Sequence, residues 1–211
     1  MNRYNYRAFG INFQSEIEIP ELQIRKEENP DVFIKYGNVP YNLPIIRRGG
    51  VLFQASEGDF LLKLEFVGLF RVQNGNTITI QPKIGVPLEE IRLFLLGSVF
   101  GALLQQRGTY PLHGSSIIFD NHAIIFTGKS ASGKSSLAAA LSLIGYQVFT
   151  DDIAAISINA EGYFQIHHGL PYLKIWKDIA AYFQQESKLK RIRPELNKLY
   201  FPIRVEDDNP H

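Results

Sequence analysis

Along the first 87 residues, apolar side chains come in short runs separated by turn residues: Ala8-Phe-Gly-Ile-Asn-Phe13, Val32-Phe-Ile-Lys-Tyr36, Phe60-Leu-Leu-Lys-Leu-Glu-Phe66, Phe70-Arg-Val72 and Thr77-Ile-Thr-Ile80. Runs this short, rich in β-branched and aromatic residues, predict strands rather than helices. Asn74-Gly75, between two of the runs, predicts a type I′ hairpin turn, because both residues tolerate the positive φ that turn requires. Asn29-Pro30 and Gly49-Gly50 mark other turns. No chemical constellation lies in this part, which reads as a β-rich subdomain over residues 1–87 that packs on the remainder or recruits a partner.

At Pro87 the pattern changes. Proline at the opening, Glu89 and Glu90 in the first turn, and apolar residues at Leu93, Phe94, Leu96, Val99, Phe100, Leu103 and Leu104 predict a connecting helix over about 88–106. Beyond Arg107-Gly108 the run Ser115–Phe119 predicts a strand, Asp120-Asn121 a turn, and Ala123–Phe126 a second strand. A helix is expected from Leu137 to near Gly145, and a strand over Tyr146–Thr150. Ile153–Ile158 and Tyr163–Ile166 around Asn159-Ala-Glu-Gly162 predict a hairpin. Tyr172–Trp176 reads as a strand or turn, Asp178–Gln185 as a helix, and the tail past Lys188 as irregular. The fold class expected is α/β, with a nucleotide-binding second domain over 88–211.

Composition narrows the partners. The chain has 211 residues, 45% hydrophobic and 20% charged, with a formal net charge of +1 and no cysteine. That balance argues against a nucleic-acid partner, which would call for a broad basic field, and the missing cysteines remove disulfide and thiolate chemistry. The N-terminus lacks a signal-peptide core, and the most apolar stretch, Ile91–Leu104, is shorter than a bilayer span and contains Arg92. A cytoplasmic protein with no membrane partner is expected.

The strongest chemical signal is Gly128-Lys-Ser-Ala-Ser-Gly-Lys-Ser135, a complete G-x-x-x-x-G-K-[ST] loop between a predicted strand and a predicted helix. Such a turn aims backbone N–H groups and a helix N-terminus at one point, where a polyphosphate sits. Gly128, Lys129, Ser130, Ala131, Ser132, Gly133, Lys134, Ser135 and Ser136 are the candidate nucleotide contacts, with Lys134 on the outer phosphates and Ser135 on Mg²⁺. Asp151 and Asp152, at the end of the next strand, are the candidate carboxylates, though successive strand residues point to opposite faces unless the strand ends there in a turn. His113 opens the strand before the loop-bearing one. His167-His168 do not have the spacing of a metal pair, and Lys188–Pro194 is a local basic run. Trp176 reads as a packing residue.

Taken together, His113, the loop Gly128–Ser135 and Thr150-Asp-Asp152 resemble the HPr kinase/phosphorylase family in type, order and interval. Phe9-Gly10, Ile19-Pro-Glu-Leu22, Leu93-Phe-Leu-Leu-Gly97, Gln106-Arg-Gly108, Leu112-His-Gly-Ser115 and Leu170–Trp176 look more like the HPr-kinase-like proteins encoded near lasso-peptide precursors. The resemblance implies an ATP- and Mg²⁺-dependent serine kinase acting on an HPr-like protein or a lasso precursor peptide, and it admits a homo-oligomer. Catalytic roles are implied for His113, Lys134 and Asp152, and metal roles for Ser135 and Asp151. The family's glycine-rich signature with a metal-binding glutamate has no match after the Asp pair. Its catalytic arginine is not identifiable either, Arg191, Arg193 and Arg204 being the substitutes in range. The chain ends at Pro210-His211, where family members continue with further helices, so a shortened C-terminal region is expected. A nucleotide-gated binding module and a simple NTP hydrolase stand as the alternatives.

Overall fold

Phe9 and Gly10 both adopt positive φ, 55° and 70°, so the first apolar run is not one strand. It folds back on itself as the hairpin of β1 (Tyr4–Ala8) and β2 (Ile11–Ser15). Periodicity alone missed this turn because Phe9 is a poor residue for the left-handed region. Asn74 and Gly75, with φ of 50° and 63°, form the expected tight turn, as do Asp120 and Asn121 at 48° and 58°. The computed structural model describes residues 3–26, 29–183, 190, 191 and 197–203, the chain being mixed α/β and mostly strand. It divides into two compact units, Met1–Thr109 and Tyr110–His211, with the helical segment on the N-terminal side of the division, where the sequence analysis had grouped it with the second domain.

In the first unit, β1 and β2 are joined by β3 (Gln23–Ile24), β4 (Val32–Tyr36), β5 (Arg48–Gly49), β6 (Phe53–Ser56), β7 (Asp59–Leu64), β8 (Gly68–Gln73) and β9 (Thr77–Pro82). They make one nine-stranded sheet in the order β3-β1-β2-β4-β9-β8-β7-β6-β5, antiparallel except where β4 pairs in parallel with β2 and β9. Phe13, Val32, Ile34, Phe70, Val72, Ile78 and Ile80 are all buried.

The helix after Pro87 runs as α1 (Leu88–Phe94), a π-helical stretch Leu95–Val99, and α2 (Phe100–Gln106). Its buried positions explain the interruption. Ile91, Leu95, Val99 and Leu103, and beside them Arg92, Leu96, Phe100 and Leu104, recur every four residues. That spacing is longer than the 3.6 residues of an α-helical turn and would drift around the axis; the wider π turn restores the stripe. Leu93 and Phe94, expected on the seam, are half-buried. Phe100 stacks on Phe13 with centroids 5.0 Å apart and meets Phe9 edge-on at 6.3 Å. Arg92, on the buried stripe, pairs with Glu21 at 3.0 Å, and both side chains are 10% exposed.

In the second unit, β11 (Gly114–Phe119) pairs antiparallel with β12 (His122–Thr127) on one side and with β13 (Gln147–Thr150) on the other. The flanking strands are therefore parallel to each other, and α3 (Lys134–Leu143) joins them as a crossover. Gly114 pairs with Thr127, and Ser116 with Thr150. One edge of this sheet thus gathers the start of β11 and the ends of β12 and β13. β10 (Tyr110–Leu112), β14 (Ala154–Ile158) and β15 (Phe164–His167) form a second sheet that contains the expected hairpin.

The third sheet consists of β16 (Tyr172–Trp176), β18 (Lys198–Pro202) and β17 (Lys190–Arg191), with α4 (Lys177–Tyr182) following β16. β18 corrects the expectation of an irregular tail. It pairs along all of β16 through the short apolar run Leu199-Tyr-Phe201, which the surrounding charge had masked. The core of this unit unites Ile117, Ala138, Ala139, Val148, Leu173, Ile175, Ala180 and Leu199. Among the described residues, no helix is long and apolar enough to cross a membrane.

Removing Glu21 leaves the nearly dry Arg92 guanidinium with only the longer, 3.6 Å contact to the half-exposed Glu89 as a charged partner. Glu21→Ala should lower the unfolding free energy by about 3 kcal/mol in urea titration, and Glu21→Met with Arg92→Met should recover most of the loss. Loss of less than about 0.5 kcal/mol in the single variant would show that Glu21 adds nothing beyond what Glu89 and solvent supply to Arg92.

Candidate active site

The segment between β12 and α3 turns through three positive-φ residues: Gly128 at 154°, Ala131 at 63° and Gly133 at 88°. A left-handed alanine is uncommon, and here it wraps the loop tightly enough for Ser132 N–H to reach Lys129 O at 3.2 Å. Gly133 caps α3 without offering a side chain, so no side chain competes for the N–H groups of the first turn. Lys134 curls back over the loop, its ammonium donating to Gly128 O at 3.1 Å and Lys129 O at 2.9 Å. Gly128 to Gly133 are exposed, whereas Lys134, Ser135 and Ser136 are half-buried.

Asp151 lies beneath this turn, 2% exposed. Its Oδ1 accepts from Ser115 Oγ at 2.5 Å and from Ser135 Oγ at 2.9 Å, while Oδ2 accepts from Lys174 N–H at 2.8 Å. Burial pushes its carboxyl above the usual range, the neighbouring Asp152 charge adds to the rise, and the three donors oppose it. The carboxylate therefore joins β11, the first turn of α3 and β16 at one point.

Asp152 escapes the strand rule that would turn it away from its neighbour. Its φ is 62°, and Ile153 N–H bonds back to Asp151 O at 2.7 Å across it. An i→i+2 bond around a residue of positive φ is the rarer and more strained γ-turn. Thr150 Oγ1 steadies the turn by donating to Ile153 O at 2.8 Å. The Asp152 side chain meets Lys174 Nζ at 2.5 Å, and its carbonyl lies 3.0 Å from His113 Nδ1. A carbonyl only accepts, so Nδ1 carries the proton in that contact and Nε2 is the imidazole's other face. Gly114 must follow His113, because a Cβ there would come within 2.7 Å of Phe126 O in the paired strand.

The structure thus brings His113, Lys134, Ser135, Asp151 and Asp152 to the edge where β11, β12 and β13 meet. It adds Ser115 and Lys174, which sequence reasoning missed. A lone lysine between Leu173 and Ile175 in an apolar strand was the available signal for Lys174. His167 and His168 do not converge: His167 Nε2 contacts Ser157 Oγ at 2.7 Å, and His168 lies against Phe149 with centroids 3.7 Å apart. No group of three or more His, Asp or Glu side chains able to hold a metal occurs among the described residues. Trp176 packs under Lys198, 4.9 Å from its ring. The side chains of the Lys188–Pro194 run and Arg204 lie outside the described residues. In comparisons with protein-family models, curated proteins and solved structures, nothing matches this chain.

Ser115→Ala takes one of the two hydroxyl donors from a buried carboxylate. The unfolding free energy should fall by about 1.5–3 kcal/mol in urea titration. A change below about 0.5 kcal/mol would mean that Asp151 does not depend on this donor.

Proposed function

We propose that the chain is an ATP- and Mg²⁺-dependent serine kinase of the HPr-kinase-like type, with residues 123–143 as its phosphate-binding strand–loop–helix core. The acceptor is a serine of a small protein or peptide, such as the C-terminal serine of a lasso precursor or an HPr-like protein. The observation that carries this reading is the convergence of three strand ends, which sets a glycine-rich loop, an ammonium, a hydroxyl, an imidazole and a carboxylate on one edge. Phosphoryl transfer asks mainly for positioning and electrostatics, and these groups supply both.

In this reading the loop N–H groups and the α3 N-terminus bind the triphosphate, and Lys134 exchanges its carbonyl partners for the outer phosphate oxygens. Mg²⁺, when bound, neutralises charge on the phosphate oxygens. Ser135 would hold it: having donated its proton to Asp151, the hydroxyl keeps lone pairs for a hard cation. Asp151 is buried, with Oδ1 accepting from two hydroxyls and Oδ2 from one N–H, and in this reading it supports the ion from behind through Ser135. Asp152 orients the acceptor hydroxyl and takes its proton as the serine O–P bond forms, the bond from Pγ to the β-phosphate bridging oxygen breaks, and ADP leaves. His113 faces the same edge and is assigned to the γ-phosphate and the acceptor oxygen.

Incubation with γ-labelled ATP, Mg²⁺ and a panel of HPr and serine-ended precursor peptides, followed by mass spectrometry, should place label on a serine. Asp152→Asn should retain Mg·ATP binding and lose transfer by about two orders of magnitude. Lys134→Ala should weaken both. Label released only as phosphate would instead identify an NTP hydrolase, and binding without turnover a nucleotide-gated module.

A further inference from the structure

Along β16, Leu173 and Ile175 are fully buried in the core shared with α3, and Lys174 lies between them. A lysine on a strand ordinarily carries its ammonium out to water. This one is 11% exposed, and its ammonium meets Asp152 Oδ2 at 2.5 Å. Burying an ammonium so deeply costs several kcal/mol unless it is paired, and an apolar residue of similar length would pack there without that penalty. The same residue's backbone N–H holds Asp151 Oδ2 at 2.8 Å. Lys174 therefore grips both carboxylates of the pair, one through the main chain and one through the side chain. Asp152 needs such a grip, since it sits on a strained turn.

We propose that Lys174 is the positioning residue of the site. Its ammonium fixes the Asp152 carboxylate through Oδ2 and leaves Oδ1 directed to the acceptor hydroxyl, while its N–H locks Asp151 and, through it, Ser135. The inference rests on the phosphotransfer reading for its kinetic consequence, but the pairing itself is testable without it. A side-chain substitution leaves the N–H to Asp151 intact, so the two functions of the residue separate.

Two measurements decide it. In the transfer assay, Lys174→Met should lower kcat by about 10- to 100-fold with KM for ATP within about threefold, and Lys174→Arg should recover most of the loss. A purely structural lysine would leave kcat unchanged in any variant that folds. Independently of activity, urea unfolding of the wild type, Lys174→Met, Asp152→Asn and the double variant gives a double-mutant cycle. Lys174→Met should raise the unfolding equilibrium constant about tenfold in the wild type and less than about twofold when Asp152 is already Asn. Additive effects would overturn the pairing. A coupled cycle with no serine transfer by the wild type would uphold the pairing and sink the kinase reading instead.

Discussion

The Asp151 carboxylate, nearly dry and held by three donors from three different elements, is the interaction on which the candidate site depends. Burying it disfavours its charge, and only the hydroxyls of Ser115 and Ser135 and the N–H of Lys174 make the position tolerable. Each donor is a constraint on its own element. Ser115 registers the start of β11, Ser135 registers the first turn of α3, and Lys174 registers β16. Loosening any one loosens the geometry of the other two.

Around this point the backbone bends in ways that ordinary residues resist. Ala131 and Asp152 adopt left-handed conformations, and Gly114 allows β11 and β12 to approach more closely than a side chain would permit. Strain of this kind persists where surrounding contacts over-determine it. Here they do: Thr150, His113 and Lys174 hold the Asp152 turn from three directions. The loop, by contrast, is exposed, and its lysine is parked on carbonyls that a polyphosphate could replace.

What sequence made legible was local. The G-x-x-x-x-G-K-S loop, the Asn74-Gly75 turn, the β14–β15 hairpin and the helix opening at Pro87 depend on neighbours a few residues apart, and periodicity and turn chemistry capture those. Ser115 and Lys174 enter the site through contacts spanning 36 and 23 residues to Asp151, which no window of local pattern reveals. The same reason hid β18, whose partner β16 lies far upstream, and the Phe9-Gly10 turn, which tertiary packing imposes on an unsuited aromatic. The helix was visible but not its π-helical stretch, since the four-residue repeat has meaning only once the face it covers is known.

The central claim is that a polyphosphate binds at the edge formed by the Gly128–Ser135 loop and the Asp151–Asp152 turn. Backbone amide resonances of the labelled chain, followed during titration with Mg·ATP and separately with AMP, test it most directly. The account predicts saturable shifts at Gly128 to Ser135 and at Asp151 to Ile153 with Mg·ATP, and none of comparable size with AMP. Unmoved loop amides at saturating Mg·ATP, or equal shifts with AMP, would contradict it.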